Sequence, residues 1–260
     1  MFPHISRAAK AGLLCAAMAA VSAPQALAQS GPLSEPQKKA VEQIVRDFLI
    51  TNPEVIQEAI VELERRQQEA QKTAQASALQ SERNTLLHSP RGNIVGNPSG
   101  DVTLVEFFDY NCGYCKRALA DLRTLMKSDP KLRVVLKDFP VLGPESVEAS
   151  RVSLAVKQQL SGDKLFDYHT RVMETRGRVN GERALQVAKE MGLDMARVQK
   201  DMDHPEVRAA LQENVTLGDK LGLTGTPAFV IGNEVISGAV GVEPLIKIAA
   251  STRQCGKAVC

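Results

Sequence analysis

Apolar residues recur at helical spacing in the first part of the chain. Val41, Ile44, Val45, Phe48 and Leu49 fall on one face of a repeat of about 3.6 residues, and Val55, Ile56, Ala59, Ile60 and Leu63 form a second stripe. Ser34 followed by Gln37 has the form of a capping box, with Pro36 in the first turn. Thr51-Asn52-Pro53-Glu54 ends the first helix and starts the second, with Asn52 as N-cap and Pro53 at the first position. After Leu63 the chain stays helix-prone but turns polar as far as Ala78, which reads as a solvated stalk. Two short amphipathic helices bury no stable core alone. They must pack on the main domain or on copies of themselves. The long stalk favours self-association; the alternative is a helical hairpin folded back on the domain.

A different pattern follows. Pro90 to Gly100 is rich in Gly, Pro, Asn and Ser and reads as a loop into a second domain. Apolar runs at 102–108 and 132–138 predict strands. Phe139-Pro140-Val141-Leu142-Gly143-Pro144 is a break. Residues 145–222 are almost wholly helical in pattern, punctuated at Gly162, Gly177, Gly181, Gly192 and His204-Pro205. A hairpin is expected over 228–231 and 234–236, across Gly232-Asn233, and a last helix over 242–252. Strand, helix, strand, helical insert, hairpin, helix is an α/β plan with an embedded helical subdomain. The expected division is 29–89 for the helical oligomerisation region and stalk, 90–254 for the α/β domain, and 255–260 for a tail.

The first 28 residues change the compartment. Arg7 and Lys10, the apolar run Ala11 to Val21 and the small-x-small Ala26-Leu27-Ala28 have the form of a secretory signal cleaved after Ala28, with a membrane anchor as the alternative. Cys15 leaves with that segment. The chain carries 32 basic and 30 acidic residues; loss of residues 1–28 removes Arg7 and Lys10 and no acid, leaving 30 of each. Balanced charge does not point to nucleic acid or an anionic membrane as the main partner. No later stretch is long and apolar enough to cross a membrane. Four cysteines remain: Cys112, Cys115, Cys255 and Cys260. An exported, oxidising setting lets them pair.

Cys112-Gly113-Tyr114-Cys115 directly follows the apolar run Val102 to Phe108 and opens a helix-like stretch, Lys116 to Met126. At a helix start the first sulfur meets unpaired backbone N–H groups and the positive end of the helix dipole, which favour a thiolate. The same spacing serves structural disulfides and zinc sites. Neither a second Cys-x-x-Cys nor a nearby His-x-His accompanies it, so no metal site is expected. Glu106 stands in the apolar strand and Lys137 in the next. Burial of a lone carboxylate is costly and raises its pKa. With the first pair set aside, Cys255 and Cys260 are expected to form a local disulfide, copper or zinc binding being the alternative.

The string Glu106 to Lys116 resembles the active-site segment of DsbA-like thioredoxin-fold proteins, and Gly225-Thr226-Pro227-Ala228-Phe229 resembles their cis-proline loop. The resemblance spans about 94–252. The preceding helices are similar to those of the suppressor-of-copper-sensitivity protein C group, whose members include trimeric disulfide isomerases. The implied fold is a thioredoxin fold with a helical insert at about 145–222. Cys112 is the implied nucleophile and Cys115 the resolving thiol, so the redox-active disulfide replaces any cofactor. By the resemblance Glu106 takes the family's buried acidic position and moves protons to or from Cys115, with Lys137 as its partner, an edge-facing acid with no role being the alternative. Thr226-Pro227 is expected to be cis, an ordinary trans turn being the alternative, and to offer backbone groups to an extended substrate.

Strongly oxidising relatives carry Pro-His between the cysteines, whereas Gly113-Tyr114 supplies no cation. The implied activity is therefore a periplasmic disulfide isomerase acting on misfolded or reduced exported proteins. It would be kept reduced by a membrane thiol reductase and assembled as a homo-oligomer, a trimer by resemblance. A dithiol oxidase and a copper-binding thiol protein are the rival readings.

Overall fold

The computed structural model describes residues 32–260. The signal-like segment and Cys15 lie outside them. The chain divides into two units, Met1–Ala59 and Ile60–Cys260. In the first, α1 (Glu35–Thr51) begins at Ser34, whose backbone N–H and hydroxyl both donate to Gln37 Oε1 at 2.9 Å. Asn52 closes α1 rather than capping the next helix, since its side-chain N–H donates back to the Phe48 carbonyl at 2.9 Å. No residue of α1 is buried. Val41, Ile44, Val45 and Phe48 all stand exposed.

The second helix, α2 (Glu54–Ser81), continues unbroken through the expected stalk. Its last turns are not solvated. Leu79, and Leu86 from α3 (Arg83–His88), are buried with Phe107, Phe139, Leu217 and Val230 in one apolar cluster. Gln75 donates to the Leu221 carbonyl at 2.9 Å. The domain boundary expected at residue 90 is therefore corrected. The compact unit starts near Ile60, because one sheet face draws residues 79 and 86 into its own core.

Five strands build the sheet in the order β1-β3-β2-β4-β5. These are β1 (Asn93–Gly96), β2 (Val102–Phe108), β3 (Leu132–Asp138), β4 (Ala228–Ile231) and β5 (Glu234–Ser237). β2 and β3 run parallel and the other pairs antiparallel. The parallel pair is joined across α4 (Gly113–Ser128), as a parallel crossover requires. Residues 93–96, expected inside a loop, form β1 against β3. Glycines at 92 and 96 hide a four-residue strand whose pairing comes from its neighbour.

Between β3 and β4 lie α5 (Pro144–Val156), α6 (Gly162–Glu174), α7 (Gly181–Glu190), α8 (Met195–Met202) and α9 (Pro205–Lys220), and α10 (Val242–Cys255) closes the fold. Alternation along β2 and β3 divides the core in two. Leu104, Phe108, Val134 and Leu136 face a cluster that holds Leu119 and Leu122 of α4 and Leu245 of α10. Val105, Phe107 and Val135 face the cluster under α9. There Gly218 presses on Phe139, and a Cβ at 218 would lie 2.4 Å from the ring. The fold is the expected α/β thioredoxin plan with a helical insert.

Candidate active site

Strand β2 delivers the chain to the site. After Phe108 it turns through Asp109-Tyr110-Asn111, and Cys112 becomes the N-cap of α4 (φ −80°, ψ 116°). The Cys112 carbonyl accepts from Lys116 N at 3.1 Å, so the first helical bond closes over Cys112-Gly113-Tyr114-Cys115. Both cysteines are free thiols. Their surroundings differ. Cys112 is 6% exposed at the rim and Cys115 is covered. The Cys115 thiol and the backbone N–H groups of Cys115 and Tyr114 donate to Cys112 and draw its pKa down to about 5. Burial, the bond to Cys112 and the nearby Glu106 charge push Cys115 far up. One thiol is a ready nucleophile while its neighbour keeps its proton.

The Thr226-Pro227 peptide is cis. It lies against the cysteines: in its thiol form Cys112 Sγ donates to the Thr226 carbonyl at 3.0 Å. Pro227 O in turn accepts from Gly238 N at 2.8 Å, which fixes the loop to the end of β5. Gly113 and Tyr114 lie open beside the thiols. Tyr114 is 58% exposed, and the Arg117 guanidinium stacks 4.1 Å over its ring, a contact worth about 0.5–1 kcal/mol at an exposed site. Arg117 went unnoticed in the sequence, although its spacing of three residues on a helix puts it beside Tyr114.

Glu106 is 2% exposed, and its Oε2 finds no hydrogen-bond partner. Burial first, then the charge on Cys112, raises its pKa to about 8. It shares the sheet face of Leu104 and Phe108, which pack in the cluster containing both cysteines. Lys137 is not its partner, contrary to the expectation. The register aligns Glu106 with Leu136 and Phe107 with Lys137, so Lys137 points to the opposite face. There it is fully buried and donates to Glu213 Oε1 of α9 at 2.9 Å. Burial lowers the Lys137 pKa, and the bond to Glu213 opposes that. Lys137 is a structural cation outside the site.

Cys255 and Cys260 are joined in a disulfide at the exposed tail. Among the described residues no group of three or more His, Cys, Asp or Glu side chains is arranged to hold a metal ion. The same residues contain no helix long and apolar enough to cross a membrane.

Residues 103–248, more than half of the chain, match the DSBA-like thioredoxin domain. Residues 37–70 match the copper resistance protein ScsC N-terminal domain. A thioredoxin-like oxidoreductase from Silicibacter pomeroyi is 40% identical with a TM-score of 0.63, covering 66% of this chain and 98% of its own. A linker-deletion mutant of Proteus mirabilis ScsC is 29% identical with a TM-score of 0.64, covering 86% of this chain and 98% of its own. Among curated proteins, the Na(+)/H(+) antiporter NhaA of Herminiimonas arsenicoxydans is 27% identical over 62% of this chain, and the chain spans 26% of its length. With a Cys-x-x-Cys at a helix start, a cis-proline loop against it and this matched domain, the chain belongs to the DSBA-like thioredoxin family of thiol–disulfide oxidoreductases, with a ScsC-type N-terminal region.

Proposed function

We propose that the chain is an exported, periplasmic protein disulfide isomerase that works as a homo-oligomer of three copies through Cys112 and Cys115. The observation that carries this reading is the geometry of the pair: two free thiols at the start of α4, with Cys112 Sγ 3.0 Å from the carbonyl of the cis Thr226-Pro227 peptide and Cys115 covered behind it. The Cys112 thiolate attacks one sulfur of a substrate disulfide. That S–S bond breaks, a Cys112–substrate disulfide forms, and the other substrate sulfur leaves as a thiolate. A substrate thiolate that then attacks the mixed disulfide makes a new pairing and returns Cys112, with no net electron transfer. If Cys115 attacks instead, it loses its proton and Glu106 is the acceptor. The Cys112–Cys115 disulfide forms, and the substrate departs carrying two electrons more. A membrane thiol reductase then restores the dithiol.

Two features favour shuffling over oxidation. Gly113-Tyr114 places no cation between the cysteines. The ScsC-type region leaves an apolar stripe on α1 (Val41, Ile44, Val45, Phe48) open for copies of the same helix. Joined copies face several thiols toward one bound chain. A dithiol oxidase is the second reading, favoured by the low Cys112 pKa, which stabilises the reduced pair and so draws electrons into it. Alkylation trapping of the pair in growing cells separates the two. A largely reduced Cys112–Cys115 pair is expected; a largely oxidised one overturns the isomerase reading in favour of the oxidase.

A further inference from the structure

The tail after α10 is a closed loop. Cys255 and Cys260 are five apart in sequence, joined by their disulfide, and both exposed. Gly256 turns the chain out of α10 at φ +75°, and its N–H donates to the Thr252 carbonyl at 2.8 Å. Between the two cysteines one residue is buried. Ala258 is 4% exposed, and its N–H donates to Asn233 Oδ1 at 2.9 Å. Gly232 and Asn233 form the turn between β4 and β5. A Cβ on Gly232 would lie 3.3 Å from Ala258 N, so the tail rests directly on that turn.

Without the disulfide little holds this seat. Lys257 and Val259, on either side of Ala258, are exposed. One neutral hydrogen bond and one buried methyl group are too little to order a five-residue tail. A loop this short gives a disulfide little chain-entropy stabilisation, and exposed disulfides are the ones that thiols reach. Such a pair opens and closes by exchange, and its state decides whether Ala258 is seated.

The fold also fixes which Cys112 the tail can meet. Arg253, two residues before Cys255, bonds Asp101 at 2.8 Å and Asp129 at 2.9 Å. Asp129 closes the C-terminal end of α4, and Cys112 stands at the other end. The 16 residues of α4 separate them by about 24 Å at 1.5 Å per residue. Cys255 is held on the last turn of α10, and five extended residues reach about 17 Å. The tail pair therefore meets Cys112 of another copy, not its own.

We propose that Cys255 and Cys260 are a second exchangeable pair whose reactant is the Cys112–Cys115 disulfide of another copy of this chain, and that the bond so formed is a clasp seating Ala258 on the β4–β5 turn. The proposal rests on the thiol-exchange reading above, both forms of which pass through the Cys112–Cys115 disulfide. The Cys260 thiolate attacks Cys112 of that disulfide. The bond to Cys115 breaks, Cys115 leaves and takes up a proton, and a Cys260–Cys112 disulfide forms. Cys255 then loses its proton and attacks Cys260. The mixed bond breaks, Cys112 leaves as a thiolate, and the tail disulfide closes. Two electrons pass from the tail to the active pair. The low Cys112 pKa favours this direction, since it stabilises the group that leaves.

The experiment mixes two variants of the chain from residue 29. The donor carries Cys112→Ala and Cys115→Ala and has its tail pair reduced. The acceptor carries Cys255→Ser and Cys260→Ser and has Cys112–Cys115 oxidised. Quenching, alkylation and mass spectrometry follow both pairs. Tail disulfide and reduced acceptor are expected in equal amounts. They form at least about tenfold faster than the tail disulfide forms with the same concentration of oxidised glutathione, a disulfide with a poorer leaving group. Amide hydrogen exchange at Ala258 of the donor slows about fivefold once the tail closes, the scale of one neutral hydrogen bond. Transfer no faster than from glutathione overturns the proposal, as does an Ala258 amide that exchanges equally fast in both states. The acceptor is also given a dithiol peptide. Oxidation of the peptide but not of the tail overturns the proposal alone; oxidation of neither overturns the underlying thiol-exchange reading and the proposal with it.

Discussion

Glu106 and Lys137 stand in adjacent parallel strands yet point to opposite faces of the sheet, because the register pairs Glu106 with Leu136. Two charges that look like partners in the sequence therefore have separate duties. Glu106 lies with the cysteines, and Lys137 joins β3 to α9 through Glu213. Glu106→Gln removes the buried carboxylate whose charge acts on Cys115, the proton acceptor proposed above. It is expected to slow closure of the Cys112–Cys115 disulfide by about 10²-fold, the scale of general acid–base assistance. Lys137→Met leaves that step alone and destabilises the fold by about 3 kcal/mol, the scale of breaking a buried ion pair. Stopped-flow closure rates and urea unfolding of both variants check the assignment.

The Cys112 thiol titrates near 5 in the fold and near 8.5 in an unfolded chain. A depressed folded pKa contributes stability that is complete above the unfolded value and is lost as pH falls through the folded one. The oxidised protein has no such thiol. The reduced form is therefore expected to unfold at a higher temperature than the oxidised form, with the gap growing from pH 5 to about pH 8.5; above that the raised Cys115 pKa opposes it. Scanning calorimetry of both forms across that range measures it; a gap independent of pH contradicts the thiolate assignment.

Leu79 and Leu86 set where the chain can be shortened. A fragment starting at residue 90 removes both from the cluster beneath α9, and loss of each buried leucine costs about 2–5 kcal/mol. A fragment of residues 60–260 keeps both. The shorter fragment is expected to aggregate or melt at least 10 °C earlier, given about 2–4 °C per kcal/mol for a domain of this size. Circular dichroism melts of the two fragments compare them directly.

Gly218 is a packing glycine. Alanine there places a Cβ 2.4 Å from the buried Phe139 ring, inside van der Waals contact, so the ring or α9 must shift. Gly218→Ala is expected to destabilise by about 1–3 kcal/mol and to be relieved by Phe139→Leu in the same chain. A thermal melt of single and double variants reads out the coupling.

Much of this was legible in the sequence, and the exceptions have physical reasons. The β2 and β3 runs are seven residues each, long enough for their period to speak, whereas β1 has only four residues, follows Gly92, ends on Gly96 and borrows its order from β3. Cys112 and Cys115 stood out because helix-start chemistry depends on local spacing, and Thr226-Pro227 because its loop resembles the family's cis-proline loop. The face chosen by Lys137 depends on parallel register, which no local pattern carries. Asp109, a buried carboxylate just before Cys112, was missed for the same reason. Its donors at 141, 142 and 146 are backbone and hydroxyl groups far along the chain.

The central claim is disulfide shuffling by Cys112 on an assembled protein. Recovery of activity from a scrambled-disulfide test protein measures it most directly, using the chain from residue 29, its Cys112→Ala variant, and an Ile44→Glu, Phe48→Glu variant that charges the exposed stripe of α1. The account predicts recovery with the first chain, none with the second, and recovery reduced about 10²-fold with the third, the lower end of the gain that linked sites give. No recovery from the first chain, with its oxidation of dithiol peptides intact, contradicts the account.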